Sequence, residues 1–169
     1  MDEAGRPAVE SARVRVILSS EGRVEAIEVS LGGIPPGPNT TRGQHWGQAA
    51  KTAEIWKGDT RRVLQEAINR AKVAGHDPGL PWAAADIEVT FRYTTAGRRD
   101  VGNCIAALKP VIDGVPAAGI IKDDSSTYLD DVRAIVQRRL HHQREITILI
   151  RRCRHQGEQE RLGLEGATA

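Results

Sequence analysis

The chain has 169 residues, enough for one domain with a modest hydrophobic core. Its 24 Lys and Arg against 22 Asp and Glu leave a formal charge of only +2, so a nucleic-acid face would have to come from local clustering of bases. No apolar run approaches membrane-spanning length, and Met1 is followed by acidic and polar residues rather than a signal-peptide core; a cytoplasmic protein with no membrane partner is expected.

Residues 1–12 lack periodicity and read as a loose N-terminal segment. Val14, Val16 and Leu18 predict a first strand, and residues 24–31 a second, joined by Ser19-Ser20-Glu21-Gly22 as a hairpin. Ile34-Pro35-Pro36-Gly37-Pro38-Asn39 then breaks regular structure. Trp46 is expected to pack on the core, and Arg42 is a candidate phosphate contact. From 47 to 73 the spacing of Ala49, Ala53, Trp56, Val63, Ala67, Ile68 and Ala71 predicts a helix, with Gly58 as a point of bending or breaking. Ile87, Val89, Phe91 and Tyr93 alternate with polar residues as a half-buried strand. The next helix is expected over 102–118, with Ile105, Leu108, Ile112 and Val115 on its buried face and a kink from Pro110 or Pro116. Two strands follow, around 132–136 and 146–150, separated by His141-His142-Gln143. Residues 155–169 form a polar C-terminal tail, which leaves 13–154 as the domain. The predicted fold class is α+β: a single domain with a mixed β-sheet covered by two main helices.

Cys104 and Cys153 lie far apart, without C-x-x-C or zinc-finger spacing, and are expected to be ordinary reduced thiols. The informative stretch is Arg98-Arg99-Asp100-Val101-Gly102-Asn103, followed by Lys109, Asp113 and Lys122-Asp123-Asp124-Ser125. Carboxylates beside a helix start, with Arg and Lys around them, suit a divalent metal and a phosphate backbone better than an apolar ligand. Mg²⁺ takes about six oxygen ligands and commonly only one or two from carboxylates in phosphate chemistry, so Asp100 with Asp124 would suffice. Lys109 lies seven residues past Gly102, two helical turns along the same face, and should lean back towards Asp100. Each residue also has a structural reading: Asp100 as an N-cap, Lys109 as an i,i+4 partner of Asp113, and Asp123-Asp124-Ser125 as a turn. No phosphate-binding glycine motif is present, and Ser125, Ser126, His141 and His142 form no recognisable nucleophile arrangement.

Taken together, Arg98-Arg99-Asp100-Val101-Gly102-Asn103, Lys109-Pro110-Val111-Ile112-Asp113-Gly114, Ala118-Gly119-Ile120-Ile121 and Asp123-Asp124-Ser125 resemble the RusA-type Holliday junction resolvases. Ile34-Pro35-Pro36-Gly37-Pro38-Asn39 with Arg42-Gly43 and Trp46 resembles the loop after that family's early strand. The resemblance implies a homodimeric, Mg²⁺-dependent endonuclease of bacteria, phages or prophages that resolves four-way DNA junctions by paired nicks in recombination and repair. Mn²⁺ is a candidate substitute metal. It implies Asp100, Lys109 and Asp124 as catalytic residues, with Asp100, Asp123 and Asp124 at the metal. Arg98, Arg99, Lys122 and Arg42, together with Arg138 and Arg139, are candidates for the DNA face. The chain departs from the family's D-x-D-N pattern at Gly102, where the better-known members carry a second Asp. A non-catalytic branched-DNA-binding protein of the same fold is therefore the alternative, and an unrelated α+β domain whose Asp residues are caps and turns is the third.

Overall fold

The computed structural model describes residues 12–37, 46–137 and 141–153. The N-terminal segment before Ala12, the tail expected over 155–169, and Arg42, Arg138 and Arg139 lie outside them. Within them the chain is a single α+β domain.

Strands β1 (Arg13–Leu18) and β2 (Val24–Gly32) form the expected hairpin. Its turn is closed by Ser19, whose Oγ accepts from the amides of Glu21 and Arg23 at 3.2 and 3.1 Å, and Gly22 supplies the left-handed φ of 77°. Helix α1 (Trp46–Val73) follows, then β3 (Ala85–Arg92), helices α2 (Val101–Ala107) and α3 (Lys109–Ala117), β4 (Leu129–Val136) and β5 (Glu145–Arg152). The sheet order is β1-β2-β5-β3-β4, antiparallel except where β3 pairs with β4.

Register explains the core. Ile27, Ile150 and Ile87 stand side by side across the three central strands, as do Val29, Ile148 and Val89, and then Leu31, Ile146 and Phe91. All nine are at most 1 % exposed. Burying each such side chain contributes about 1.5–3 kcal/mol, so these rows dominate the hydrophobic driving force. Trp56, Val63, Leu64, Ala67 and Ala71 of α1 complete the layer above them. The opposite sheet face is polar. There Glu145 is 6 % exposed and is clasped by Arg13 (3.0 Å) and Arg92 (2.9 Å), while Ser30 and Thr147 share a 3.0 Å hydrogen bond. Burial pushes the Glu145 carboxyl up, but its bonds to Gln143 and Arg13 and the charges of Arg13 and Arg92 outweigh this and leave it below its ordinary value.

Three expectations are corrected. Trp46 is 78 % exposed. It is the first residue of α1, nearly three turns before Trp56, and Trp56 is the tryptophan that fills the core. Gly58 does not break α1, which runs unbroken for 28 residues. Its propensity cost is overridden by the packing of Trp56, Thr60 and Val63 on either side. The helix expected over 102–118 is two helices, because the chain steps out of register at Leu108 and restarts with Pro110 in the first turn of α3. The buried stripe runs through Cys104, Ala107, Leu108, Val111 and Val115 at helical spacing across the step, which leaves Ile105, off that stripe, 43 % exposed.

Helices α1 and α3 are in close contact at Gly114. A Cβ there would lie 2.7 Å from Thr60 Cβ and 3.1 Å from the Lys57 carbonyl oxygen. Gly114→Ala should therefore destabilise the fold by about 1–3 kcal/mol. At Gly58 a Cβ would meet nothing within 4 Å, so Gly58→Ala should stabilise it by up to about 1 kcal/mol. Urea denaturation of both variants checks the opposite signs. A second expectation concerns acid. Because the folded Glu145 pKa lies below the unfolded value, its contribution is present above about pH 4.3 and is lost as pH falls through the lower folded value. Stability curves for the protein and for Glu145→Gln should converge across that acid window.

Candidate active site

The parallel pairing of β3 and β4 sends the chain through a crossover that holds all the candidate residues the structure describes. At its first end, β3 runs out through Tyr93 into an exposed loop, residues 94–100. The Tyr93 hydroxyl lies 3.7 Å from Cys104 Sγ on α2, which ties the strand end to the new helix. Burial and the bond to Cys104 push Tyr93 up to about 12, against the pull of Arg99 and Arg144. Arg99 folds back over the Tyr93 ring, 4.4 Å from its centroid, and donates to Thr95 Oγ1 at 3.1 Å. Arg98 is exposed, as is Lys122 at the other end of the crossover.

Asp100 is the N-cap of α2. Its backbone is extended (φ −87°, ψ 118°), and Oδ1 accepts from the Asn103 amide at 3.2 Å. A Cβ at Gly102 would sit 3.1 Å from that same oxygen. Any side chain at position 102 would thus stand directly against the Asp100 carboxylate.

The other end is held by backbone bonds. The Trp82 amide donates to the Ile120 carbonyl at 2.7 Å, and the Tyr128 and Leu129 amides donate to the Ser125 carbonyl at 2.9 and 3.0 Å. Between these anchors Asp123 Oδ1 accepts from the Ser125 amide at 2.8 Å, the turn geometry expected from Asp-Asp-Ser. Asp124 turns to Lys109: Nζ donates to Asp124 Oδ2 at 2.5 Å and to Asp113 Oδ1 at 2.6 Å. The bonds to Asp113 and Asp124 raise the Lys109 pKa, and the bond to Lys109 lowers that of Asp124. Lys109 and Asp124 are therefore both charged at neutral pH.

Lys109 thus reaches across the crossover to Asp124 rather than back to Asp100. It opens α3 instead of continuing α2, so the two-turn geometry that would aim it at Asp100 does not apply. Asp100, Asp123 and Asp124 do not form a group with ligand atoms within 4.8 Å of one another. The chemistry of the donors still fits a hard divalent ion: all are carboxylate oxygens, and the bonds described engage only one oxygen of each.

Among the described residues one such group of three exists, Asp86, Asp130 and Cys153. Sequence reasoning had no signal for it, since its members meet only through the order of β3, β4 and β5. Burial, with hydrogen bonds to Asp86 and Asp130, pushes Cys153 up to about 12. The thiol is therefore protonated at neutral pH beside the two carboxylates. Both cysteines are free, as expected.

No protein-family model matches the chain, and no curated protein matches it. No helix among the described residues is long and apolar enough to cross a membrane.

Capping and charge at Asp100 are separable. Asn caps as well as Asp, so Asp100→Asn should stay within about 0.5 kcal/mol of the parent, whereas Asp100→Ala should lose about 1 kcal/mol. Thermal or urea unfolding of the two variants checks this.

Proposed function

We propose that the chain is a metal-dependent, structure-selective DNA endonuclease of RusA type that resolves four-way junctions by paired nicks in recombination and repair, working in the cytoplasm. The observation that carries this reading is the meeting of Lys109 with Asp124, fifteen positions apart, beside an exposed Asp123 and across the crossover from an exposed Asp100. Hard oxygen donors with an ammonium among them match the needs of phosphodiester hydrolysis. Asp100 and Asp124, with Asp123 alongside, would hold Mg²⁺ or Mn²⁺. When bound, that ion supplies Lewis acidity and lowers the pKa of attacking water.

The chain's own residues supply the rest. Lys109 offers N–H donors to the phosphoryl oxygens, where negative charge grows in the transition state. Exposed Arg98 and Lys122 offer contacts to the DNA backbone at the two ends of the crossover. Arg99 is engaged by Tyr93 and Thr95, and its role is to hold the Asp100 loop before it is to touch phosphate. A four-way junction has two-fold symmetry, and a C₂ homodimer would place two such sites for paired cuts.

Gly102 favours a second reading, a branched-DNA-binding protein that has lost catalysis, because it removes the carboxylate position nearest Asp100. One experiment separates the two. A labelled synthetic four-way junction is incubated with the protein in Mg²⁺ or EDTA, with linear duplex as control. The endonuclease reading expects junction-selective nicking that EDTA abolishes. Asp100→Asn should lose at least about 100-fold in nicking while still binding the junction. Tight binding without nicking in either Mg²⁺ or Mn²⁺ would establish the second reading.

A further inference from the structure

Lys109 holds two carboxylates of different standing. Asp113 lies one turn along on α3 itself, so its 2.6 Å contact follows from helix geometry and persists whatever the loop does. Asp124 comes from the separate loop anchored by Trp82 and Ser125, and its 2.5 Å contact takes an oxygen that a divalent ion would seek. An ammonium seated on Asp124 draws on the same carboxylate charge and repels a dication arriving there, even one on the free oxygen. Binding of one must weaken or remove the other.

Resting on the metal-dependent reading above, we propose that Lys109 is the resident counter-cation of Asp124, displaced by an incoming divalent ion, and that Asp113 is the positioning residue that receives it. The ammonium has three donors on a flexible four-carbon stem, so it can release Asp124 and keep Asp113. Asp113 then prevents the displaced ammonium from swinging into solvent. Lys109 stays next to the metal, where a phosphate would arrive. The single ammonium thereby offsets part of the charge on the two carboxylates, and occupancy of the site sets the position of the lysine.

The test is direct Mn²⁺ binding, by electron paramagnetic resonance and titration calorimetry, on the full chain and folded variants near neutral pH. Lys109→Met should tighten Mn²⁺ binding about two- to fivefold, since the competing cation is gone. Lys109→Gln serves as the second neutral variant and should do the same. Asp113→Asn should weaken binding by a similar factor, because the ammonium then has Asp124 alone. In the Lys109→Met background, Asp113→Asn should have no effect. Unchanged or weaker Mn²⁺ binding in both Lys109 variants overturns the proposal while leaving the metal reading intact. So does an Asp113→Asn effect of the same size with and without Lys109, which would give Asp113 a direct electrostatic or ligand role. Absence of Mn²⁺ binding in every variant overturns both.

Discussion

The parallel pairing of β3 with β4 is the constraint on which the rest depends. Antiparallel neighbours close with a short turn, as β1 and β2 do; parallel neighbours need a long crossover. The chain from Tyr93 to Tyr128 is spent on that return. It carries α2 and α3, whose buried residues Leu108, Val111 and Val115 seal the core, and Ile120 and Ile121 finish it. A stretch required for closure therefore also exposes a loop at each end. Asp100 occupies one and Asp124 the other. Lys109, where the chain restarts as α3, reaches the Asp124 end.

Magnitudes decide what the Lys109 contacts are for. The Lys109 side chain is 66 % exposed and that of Asp124 32 %, so water and salt screen the pair. Such a pair contributes about 0.2–1 kcal/mol, little beside the central apolar rows. Its consequence is positional: it fixes an ammonium against a carboxylate in a place where the local backbone is already held from both sides. Glu145 is the contrast. It is nearly buried on the far face, with two guanidiniums and a glutamine converging on it, and its chemistry is spent on holding strands together.

Strand positions were legible in the sequence because alternation is local: Ile87, Val89 and Phe91 point to the core by period alone, and the mixed α+β class followed. Asp100 as an N-cap and Asp123-Asp124-Ser125 as a turn were legible for the same reason. What failed depended on distant partners. Trp46 is aromatic at a helix start, but the core lies under Trp56. Ile105 has helical spacing with Leu108 and Ile112, yet the core takes the neighbouring stripe through Cys104, Ala107, Leu108 and Val111; Pro110 signalled a disturbance without showing where the chain would restart. The Lys109–Asp124 contact and the Asp86–Asp130–Cys153 group arise only when separate segments are brought together, so no spacing within one segment encodes them. Whether the chain cuts DNA is a further step that neither periodicity nor capping reaches.

Gly102 links these strands of argument. An aspartate there would put two carboxylates on the first turn of α2, and the helix alone could gather much of a metal site. With glycine, Asp100 contributes a single carboxylate and its nearest chemical counterparts come from the far side of the crossover. A metal held by Asp100 and Asp124 would then join a helix start to a loop anchored through Trp82, Ile120 and Ser125. Its affinity would depend on the packing of α3 against α1 at Gly114 and Thr60, far more than in a site built on one turn. A site without an aspartate at 102 would rest on the tertiary fold more than on sequence-adjacent residues. In the proposed arrangement the lysine seated on Asp124 would then compete directly with the metal for that carboxylate.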